Sequence, residues 1–89
     1  MIRRDVLVVN DVGLHARPAA SLVKAASSFS CNIWVEAESG RADAKSLLMV
    51  LALGVTQGTE IVIITDGPDE EKAAADLAEL VESGFPGGT

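Results

Sequence analysis

The sequence has few cysteines and few aromatic residues, and each shortage excludes a class of protein. Cys31 is the only cysteine among 89 residues, so an internal disulfide and a thiol-rich metal site are excluded. The aromatic residues are Phe29, Trp34 and Phe85, and the basic residues number seven. These are too few to follow a phosphate backbone or to stack on bases. We therefore expect neither a disulfide-stapled secreted fold nor a nucleic-acid partner.

Long apolar runs are also absent from the sequence. The longest, residues 47–55, is nine residues counting Gly54, whereas a membrane-spanning helix needs about 18. Near the start only residues 6–9 are continuously apolar, and Asp5 separates them from the two arginines before it. This run is too short for the apolar core of a signal peptide. The sequence thus predicts a cytoplasmic protein without membrane insertion.

The length limits the number of domains and the kind of site. A chain of 89 residues and 9.2 kDa, with 48% hydrophobic residues, suits one domain over residues 1–89. We expect its core in residues 2–84 and a tail at 85–89. So small a domain is better suited to a surface site than to a deep cleft. No metal-ligand spacing occurs, so we expect no bound metal ion. We also expect a monomer that needs no cofactor.

Acidic residues are unevenly distributed along the chain, whose net charge is -6. From Asp66 onward there are seven acidic residues and one basic residue, so this segment carries the whole excess. Residues 12–35 contain no acidic residue, yet they carry Arg17, Lys24 and the only histidine, His15. An anion can therefore approach this stretch without repulsion from neighbouring sequence.

Hydrophobic periodicity divides the chain into seven elements. Runs rich in valine and isoleucine predict strands, and apolar spacings of three and four predict helices. Pro18 suits the first turn of the first helix, and Gly54 suits the end of the second. In chain order we predict a strand at 2–9, a helix at 16–28, a strand at 32–37, a short strand after the turn at 39–40, a helix at 47–53, a strand at 60–65 and a helix at 69–83.

Two of the predicted helices are long and amphipathic. With four strands, the economical packing is an α+β open-faced β-sandwich, in which a four-stranded antiparallel sheet has three helices packed on one face. The predicted buried face of the first helix consists of Ala16, Ala19, Ala20, Val23 and Ala26. That of the last helix consists of Ala73, Ala74, Leu77, Leu80 and Val81.

A histidine stands at the predicted start of the first helix. The first N–H groups of a helix lack intrahelical partners and lie at the positive end of its dipole, so they can bind an anion. Here these donors are the N–H groups of Ala16 and Arg17, because Pro18 has none. The dipole also disfavours imidazolium, which would keep His15 neutral and nucleophilic at about pH 7. A phosphoryl group on His15 would then face two N–H donors, with Arg17 close by.

Position alone leaves an alternative open at this histidine. A single histidine at a helix start is often only a surface residue. The neighbouring arginine, the proline and the acid-free surroundings favour a site, but they do not remove the alternative.

Three segments in register resemble one known family. They are GLHARPA at residues 13–19, AKSLL at 44–48 and LGVTQGT at 53–59. Their content and spacing are similar to those of HPr, the histidine-containing phosphocarriers of the bacterial phosphoenolpyruvate-dependent sugar phosphotransferase system. The resemblance covers residues 2–84.

The resemblance implies a stoichiometric carrier and not an enzyme. In that family the histidine matched by His15 accepts phosphate from enzyme I on Nδ1 and passes it to the A-type components of sugar permeases. The arginine matched by Arg17 assists the transfer. The serine matched by Ser46 is phosphorylated in many bacteria by an ATP-dependent serine kinase, as a regulatory mark.

The second short helix combines a capping residue with an apolar run. Ser46 is suited to be its N-cap. The run at residues 47–51 is too continuous to be wholly buried, so part of it should be exposed as a docking patch, with Val50 in the core. Ordinary core packing is the alternative. The predicted partner-docking residues are Leu47, Leu48, Leu51, Lys24 and Lys45.

Some residues depart from those common in the family. Met49, Ala52 and Leu22 are such departures, and they bear on the choice of partner rather than on phosphate carriage. A carrier of the nitrogen branch shares the histidine motif and stays open as an alternative. The other alternative is a regulatory binding protein that uses the apolar patch without covalent phosphate.

Overall fold

The structure is a computed structural model that describes residues 1–86. All seven predicted elements are present in the predicted order. They are β1 (Ile2–Leu7), α1 (Ala16–Ser27), β2 (Asn32–Ala37), β3 (Gly40–Asp43), α2 (Leu47–Ala52), β4 (Glu60–Asp66) and α3 (Glu70–Glu82).

The four strands form one antiparallel sheet in the order β1-β4-β2-β3. Val6 pairs with Ile61, while Val35 lies between Ile63 and Ala42, so one face of the sheet is apolar from edge to edge. α3 packs against β1 and β4, and α1 packs between α3 and α2, which contacts β3. The predicted α+β open-faced sandwich is confirmed.

The buried face of α1 differs from the predicted one. Its buried residues are Pro18, Ala19, Leu22 and Ala26. The prediction was wrong at Ala16 and Ala20, which are exposed. Leucine buries far more apolar area than alanine, so the face that carries Leu22 is the one that turns inward. Leu22 is fully buried, so its side chain is not exposed to a partner.

The buried face of α3 agrees closely with the prediction. Its buried residues are Ala73, Ala74, Leu77, Ala78 and Val81. Leu80, predicted to be buried, is only partly so and packs at the margin of the core. Two acidic residues in the first turn, Glu70 and Glu71, lie at the positive end of the helix dipole.

The first strand is shorter than the predicted span of residues 2–9. It ends at Leu7, but Val8 still exchanges two backbone hydrogen bonds with the loop before β4. The Val8 N–H donates to the Thr59 oxygen at 3.0 Å, and the Gly58 N–H donates to the Val8 oxygen at 2.8 Å. This irregular pairing ties the loop after β1 to the loop before β4.

The core extends beyond its predicted boundary at residue 84. Phe85 is only 2% exposed and belongs to the core, so its assignment to a tail was wrong. Gly84 has a φ of 78°, which turns the chain back after α3, and the Phe85 N–H donates to the Leu80 oxygen at 3.1 Å. So small a domain gains much from burying one large aromatic side chain. Residues 87–89 of the predicted tail lie outside the described residues.

The described part of the chain has neither a helix suited to span a membrane nor a side-chain cluster suited to hold a metal ion. Over residues 1–86, no helix combines the length and the hydropathy that crossing a membrane requires. The same residues contain no group of three or more histidine, cysteine, aspartate or glutamate side chains arranged to hold a metal ion.

Candidate functional site

His15 occupies the N-cap position of α1. Its backbone is extended, with φ -79° and ψ -173°, and its carbonyl oxygen accepts the first helical hydrogen bond, from the Ala19 N–H at 2.8 Å. The imidazole makes no capping hydrogen bond and is exposed. The histidine therefore begins the helix through its backbone, which leaves the ring available to a partner.

The first turn of α1 presents unpaired hydrogen-bond donors beside His15. The N–H groups of Ala16 and Arg17 have no acceptor within residues 1–86. The Arg17 side chain is exposed and forms no ion pair in that part of the chain. Pro18 is buried and lacks an N–H, so it fills the space beneath the turn without adding a donor. The arrangement suits an anion bound next to an exposed imidazole.

The segment before His15 is held by a turn. The Gly13 N–H donates to the Asn10 carbonyl at 3.1 Å, and the Asn10 side-chain amide donates back to the Gly13 carbonyl at 2.7 Å. Gly13 has a φ of 61°, and a Cβ there would overlap the Val55 carbonyl oxygen. Only glycine satisfies both conditions, because L residues rarely adopt this conformation.

The loop between α2 and β4 forms hydrogen bonds with the segment before His15. The Leu14 N–H donates to the Val55 oxygen at 3.0 Å, and the Leu14 side chain is buried in the core. The Gln57 side-chain amide donates to the Val9 oxygen at 3.0 Å and to an Asp11 carboxylate oxygen at 3.4 Å. The backbone near His15 is thus fixed by residues more than 40 positions away in the sequence.

Sequence reasoning did not identify Asn10 or Gln57 as parts of this arrangement. Asn10 directly follows the predicted strand at residues 2–9, and the hydrophobic pattern assigns it no further role. Asparagine at the first position and glycine at the fourth are favoured in type I β-turns, so Asn10 and Gly13 are a local signal for this turn. The contact of Gln57 is long-range, and no local pattern predicts it.

Ser46 is the N-cap of α2, as predicted. Its backbone is extended, and its hydroxyl oxygen accepts a hydrogen bond from the Met49 N–H at 3.4 Å. The distance is long for such a bond, so the cap is a weak one. Gly54, with a φ of 66°, follows the C-cap residue Leu53 and ends the helix as expected.

Most of the apolar side chains of α2 are exposed. Leu48 is 80% exposed, whereas Val50 is fully buried. This confirms that the run at 47–51 is only partly core. We call the exposed members the α2 patch; they are Leu47, Leu48, Met49 and Leu51. α2 leads within three residues to Val55, which binds Leu14, so the C-terminal end of α2 lies close to the turn before His15.

The two lysines predicted to assist docking differ in their surroundings. Lys24 is exposed in the last turn of α1, where it complements the negative end of the helix dipole. The Lys45 ammonium is half-buried and donates to the Phe29 carbonyl at 2.8 Å. The bond to Phe29 holds the Lys45 ammonium close to the protein surface, whereas the Lys24 side chain is exposed and forms no ion pair within residues 1–86.

Cys31 and Trp34 do not join the site around His15. Cys31 is buried, and its burial is the main cause that raises the pKa of its thiol. Its backbone N–H, together with that of Ser30, donates to the Asp69 carboxylate. Trp34 lies on the sheet face opposite the helices, with the Arg41 guanidinium 5.9 Å from its ring centre.

Known proteins match this chain over nearly its whole length. A family model described as the PTS HPr component phosphorylation site matches residues 2–83. The phosphocarrier protein HPr of Haemophilus influenzae is 43% identical over 81 residues, or 91% of this chain and 95% of that protein. The crystal structure of HPr-C-His from Thermoanaerobacter tengcongensis has a TM-score of 0.93 and 42% identity over 98% of both chains. An HPr dimer from the same organism has a TM-score of 0.77 and 42% identity over 98% of this chain and 100% of that one.

Proposed function

This chain belongs to the HPr family of phosphocarriers of the phosphotransferase system, and from that premise we propose that His15 is the residue that carries the phosphoryl group. The family role is that of a carrier and not of a catalyst. The proposed donor is enzyme I, and the proposed recipients are the A-type components of sugar permeases. The observation that supports the proposal most is the exposed His15 ring beside the unpaired N–H groups of Ala16 and Arg17.

In the proposed transfer, the Nδ1 of His15 attacks the phosphorus of a phosphohistidine on enzyme I. The new P–N bond forms as the bond to the donor histidine breaks, and the electron pair of the broken bond stays on the donor nitrogen. The N–H groups of Ala16 and Arg17 donate to the phosphoryl oxygens. The Arg17 guanidinium compensates their negative charge. The same displacement, with His15 now the leaving group, delivers the phosphoryl group to the permease component.

The α2 patch is the proposed docking surface for both partners. Apolar side chains left in water gain free energy when a partner covers them. Leu47, Leu48 and Leu51 lie on the helix whose end approaches the turn before His15. Lys24 would add a charge contact, and Ser46 would act as a regulatory site for a serine kinase. A monomer in the cytoplasm remains our prediction for the working form.

Incubation with enzyme I and phosphoenolpyruvate tests the proposal directly. We expect mass spectrometry to detect the gain of one phosphoryl group, stable in base, lost in acid and absent from His15→Ala. The His15 ring is exposed and makes no capping hydrogen bond, so this variant should remain folded. If wild-type protein gains no phosphoryl group from a competent donor, the carrier proposal fails. The alternative is then a regulatory protein that binds through the α2 patch alone.

The nitrogen-branch alternative differs only in the identity of the partners. A carrier of either branch would be phosphorylated on His15 in that experiment. Parallel incubation with enzyme I of each branch separates them, because our proposal predicts faster transfer from the enzyme of the sugar branch. Faster transfer from the nitrogen-branch enzyme would reassign the chain to that branch.

A further inference from the structure

The peptide unit between Gly13 and Leu14 is held at both of its polar atoms. Its carbonyl oxygen accepts from the Asn10 side-chain amide at 2.7 Å, and its N–H donates to the Val55 oxygen at 3.0 Å. A peptide unit is planar, so two hydrogen bonds at opposite ends fix the direction of the plane. Among the side chains of residues 1–86, Asn10 is the one that binds this unit.

The orientation of this plane determines where His15 lies. Between the plane and the His15 Cα atom there remain only the rotations about the backbone of Leu14, whose side chain is fixed in the core. Rotation of the plane would therefore move the imidazole relative to the N–H groups of α1. Rates of group transfer are sensitive to such displacements, because the reacting atoms must meet in a narrow range of geometries.

Stability alone is a poor reason for an asparagine at this position. The Asn10 side-chain oxygen is buried and has no hydrogen-bond partner within residues 1–86. A buried acceptor without a partner costs free energy, which offsets what the bond from the amide nitrogen contributes. An apolar residue of similar volume would avoid that cost, but it would leave the Gly13 carbonyl without its donor.

We propose that Asn10 is a positioning residue for phosphoryl transfer at His15, acting through the Gly13–Leu14 peptide unit. The inference rests on the proposed carrier function, because positioning matters only if His15 reacts. In this proposal Asn10 does not contact the phosphoryl group. The effect of Asn10 is on the orientation of the imidazole and not on docking at the α2 patch.

Gln57 provides a matched comparison within the same loop. Its side-chain amide also binds this loop, but at Val9 and Asp11 rather than at the Gly13–Leu14 unit. If any loosening of the loop impairs transfer, loss of either amide should have the same effect. If the orientation of the peptide plane is what matters, loss of the Asn10 amide should have much the larger effect.

The test compares Asn10→Ala, Asn10→Leu and Gln57→Ala with wild type, and uses Asn32→Ala, an exposed asparagine on β2, as a control. For transfer from enzyme I we expect both Asn10 variants to lose about tenfold in kcat, with KM and the thermal midpoint nearly unchanged. NMR spectra of the unphosphorylated proteins should show shifted signals for the His15 ring and the Ala16 amide in these variants alone. Gln57→Ala should lose much less kcat than the Asn10 variants, and Asn32→Ala should resemble wild type.

Several results would overturn the inference. One is a wild-type kcat in both Asn10 variants, and another is an equal loss in Gln57→Ala. A fall in kcat with unchanged His15 ring signals would also overturn it, because Asn10 would then act by some means other than positioning. The NMR comparison needs no enzyme I, so failure of wild type to accept phosphate would refute the carrier function while the spectra still report on the position of the ring.

Discussion

His15 and Arg17 are exposed, and their side chains form no hydrogen bond or ion pair in the part of the chain that the structure describes. Their contribution to folding is therefore small. The structure around them is supplied by other residues, with Pro18 and Leu14 buried and Gly13 in a conformation that favours glycine. Substitutions of the two exposed residues should change transfer rates without changing the fold.

Replacement of Arg17 by lysine tests the part played by the guanidinium. A planar guanidinium can bind two phosphoryl oxygens at once, whereas an ammonium acts as a point charge. We expect Arg17→Lys to slow transfer from enzyme I about tenfold, a loss of about 1.4 kcal/mol of transition-state stabilisation, with an unchanged thermal midpoint. Arg4→Lys, at an exposed arginine of β1, is the control. Equal rates for both variants would mean that the N–H groups of α1 suffice.

Ser46 is a helix cap, and the proposed regulatory role can be separated from that one. Because its bond to the Met49 N–H is long, Ser46→Ala should cost only about 0.5 kcal/mol of unfolding free energy and leave transfer unchanged. Ser46→Asp should retain the cap and the thermal midpoint, since a carboxylate is favourable at a helix N-terminus. Its charge beside the α2 patch should nevertheless slow phosphorylation of His15, because docking would have to desolvate it. Equal transfer rates for wild type and both variants would leave Ser46 as a cap only.

At the scale of elements, α2 is a six-residue helix that keeps one side chain in the core and exposes most of the others. If the α2 patch docks enzyme I, Leu48→Ser should raise KM about tenfold and leave kcat and stability nearly unchanged. Leu7→Ser is the matched control, because Leu7 is exposed on the opposite face of the sheet. An unchanged KM in Leu48→Ser would exclude Leu48 from the docking surface.

The order and type of every element could be predicted from the sequence, because strong periodicity and well-placed proline and glycine mark them. The buried face of α1 was harder to predict, because the apolar residues of this helix are mostly alanines. The predicted face left out Leu22, which points into the core. The position of His15 at a helix start was predictable from Pro18, three residues later, which suits the first turn of a helix. The support from Val55 was not, because that loop is distant in sequence; the contact between the Asn10 side chain and Gly13 is local, and sequence reasoning missed it.

At the scale of the whole molecule, the excess negative charge lies in a different part of the sequence from His15. Most of the acidic excess lies on α3, while the stretch of residues 12–35 around His15 has no acidic side chain. A dianionic group carried at His15 would therefore meet little repulsion from its own sequence neighbours. The few carboxylates with strong partners, such as Glu36 between Arg3 and Arg41, tie separate strands together.

These partnered carboxylates make stability depend on pH. Backbone hydrogen bonds, that from the Ser30 N–H above all, lower the pKa of Asp69, and the Arg41 and Arg3 guanidinium groups lower that of Glu36. A carboxyl with a lowered pKa stabilises the fold above its ordinary value of about 4, and this contribution is lost as pH falls through the lowered value.

The Asp69 contribution can be isolated by substitution. We expect Asp69→Asn to lower the thermal midpoint at neutral pH, because an amide can accept from only one of the two N–H groups that Asp69 binds. The gap between variant and wild type should narrow as pH falls below about 4. Transfer from enzyme I should be unaffected. A gap that is constant with pH would show that the Asp69 charge does not contribute.

The central claim is that His15 carries a phosphoryl group from one partner to another, and onward transfer measures this most directly. Phosphorylated protein, freed of enzyme I and of phosphoenolpyruvate, is mixed with an equimolar A-type permease component, and both masses are followed with time. The account predicts that the group leaves His15 and appears on the permease component in equal amount, with Arg17→Lys slowing the step. A phosphoryl group that stays on this chain, or is lost to water without reaching the recipient, would contradict the account.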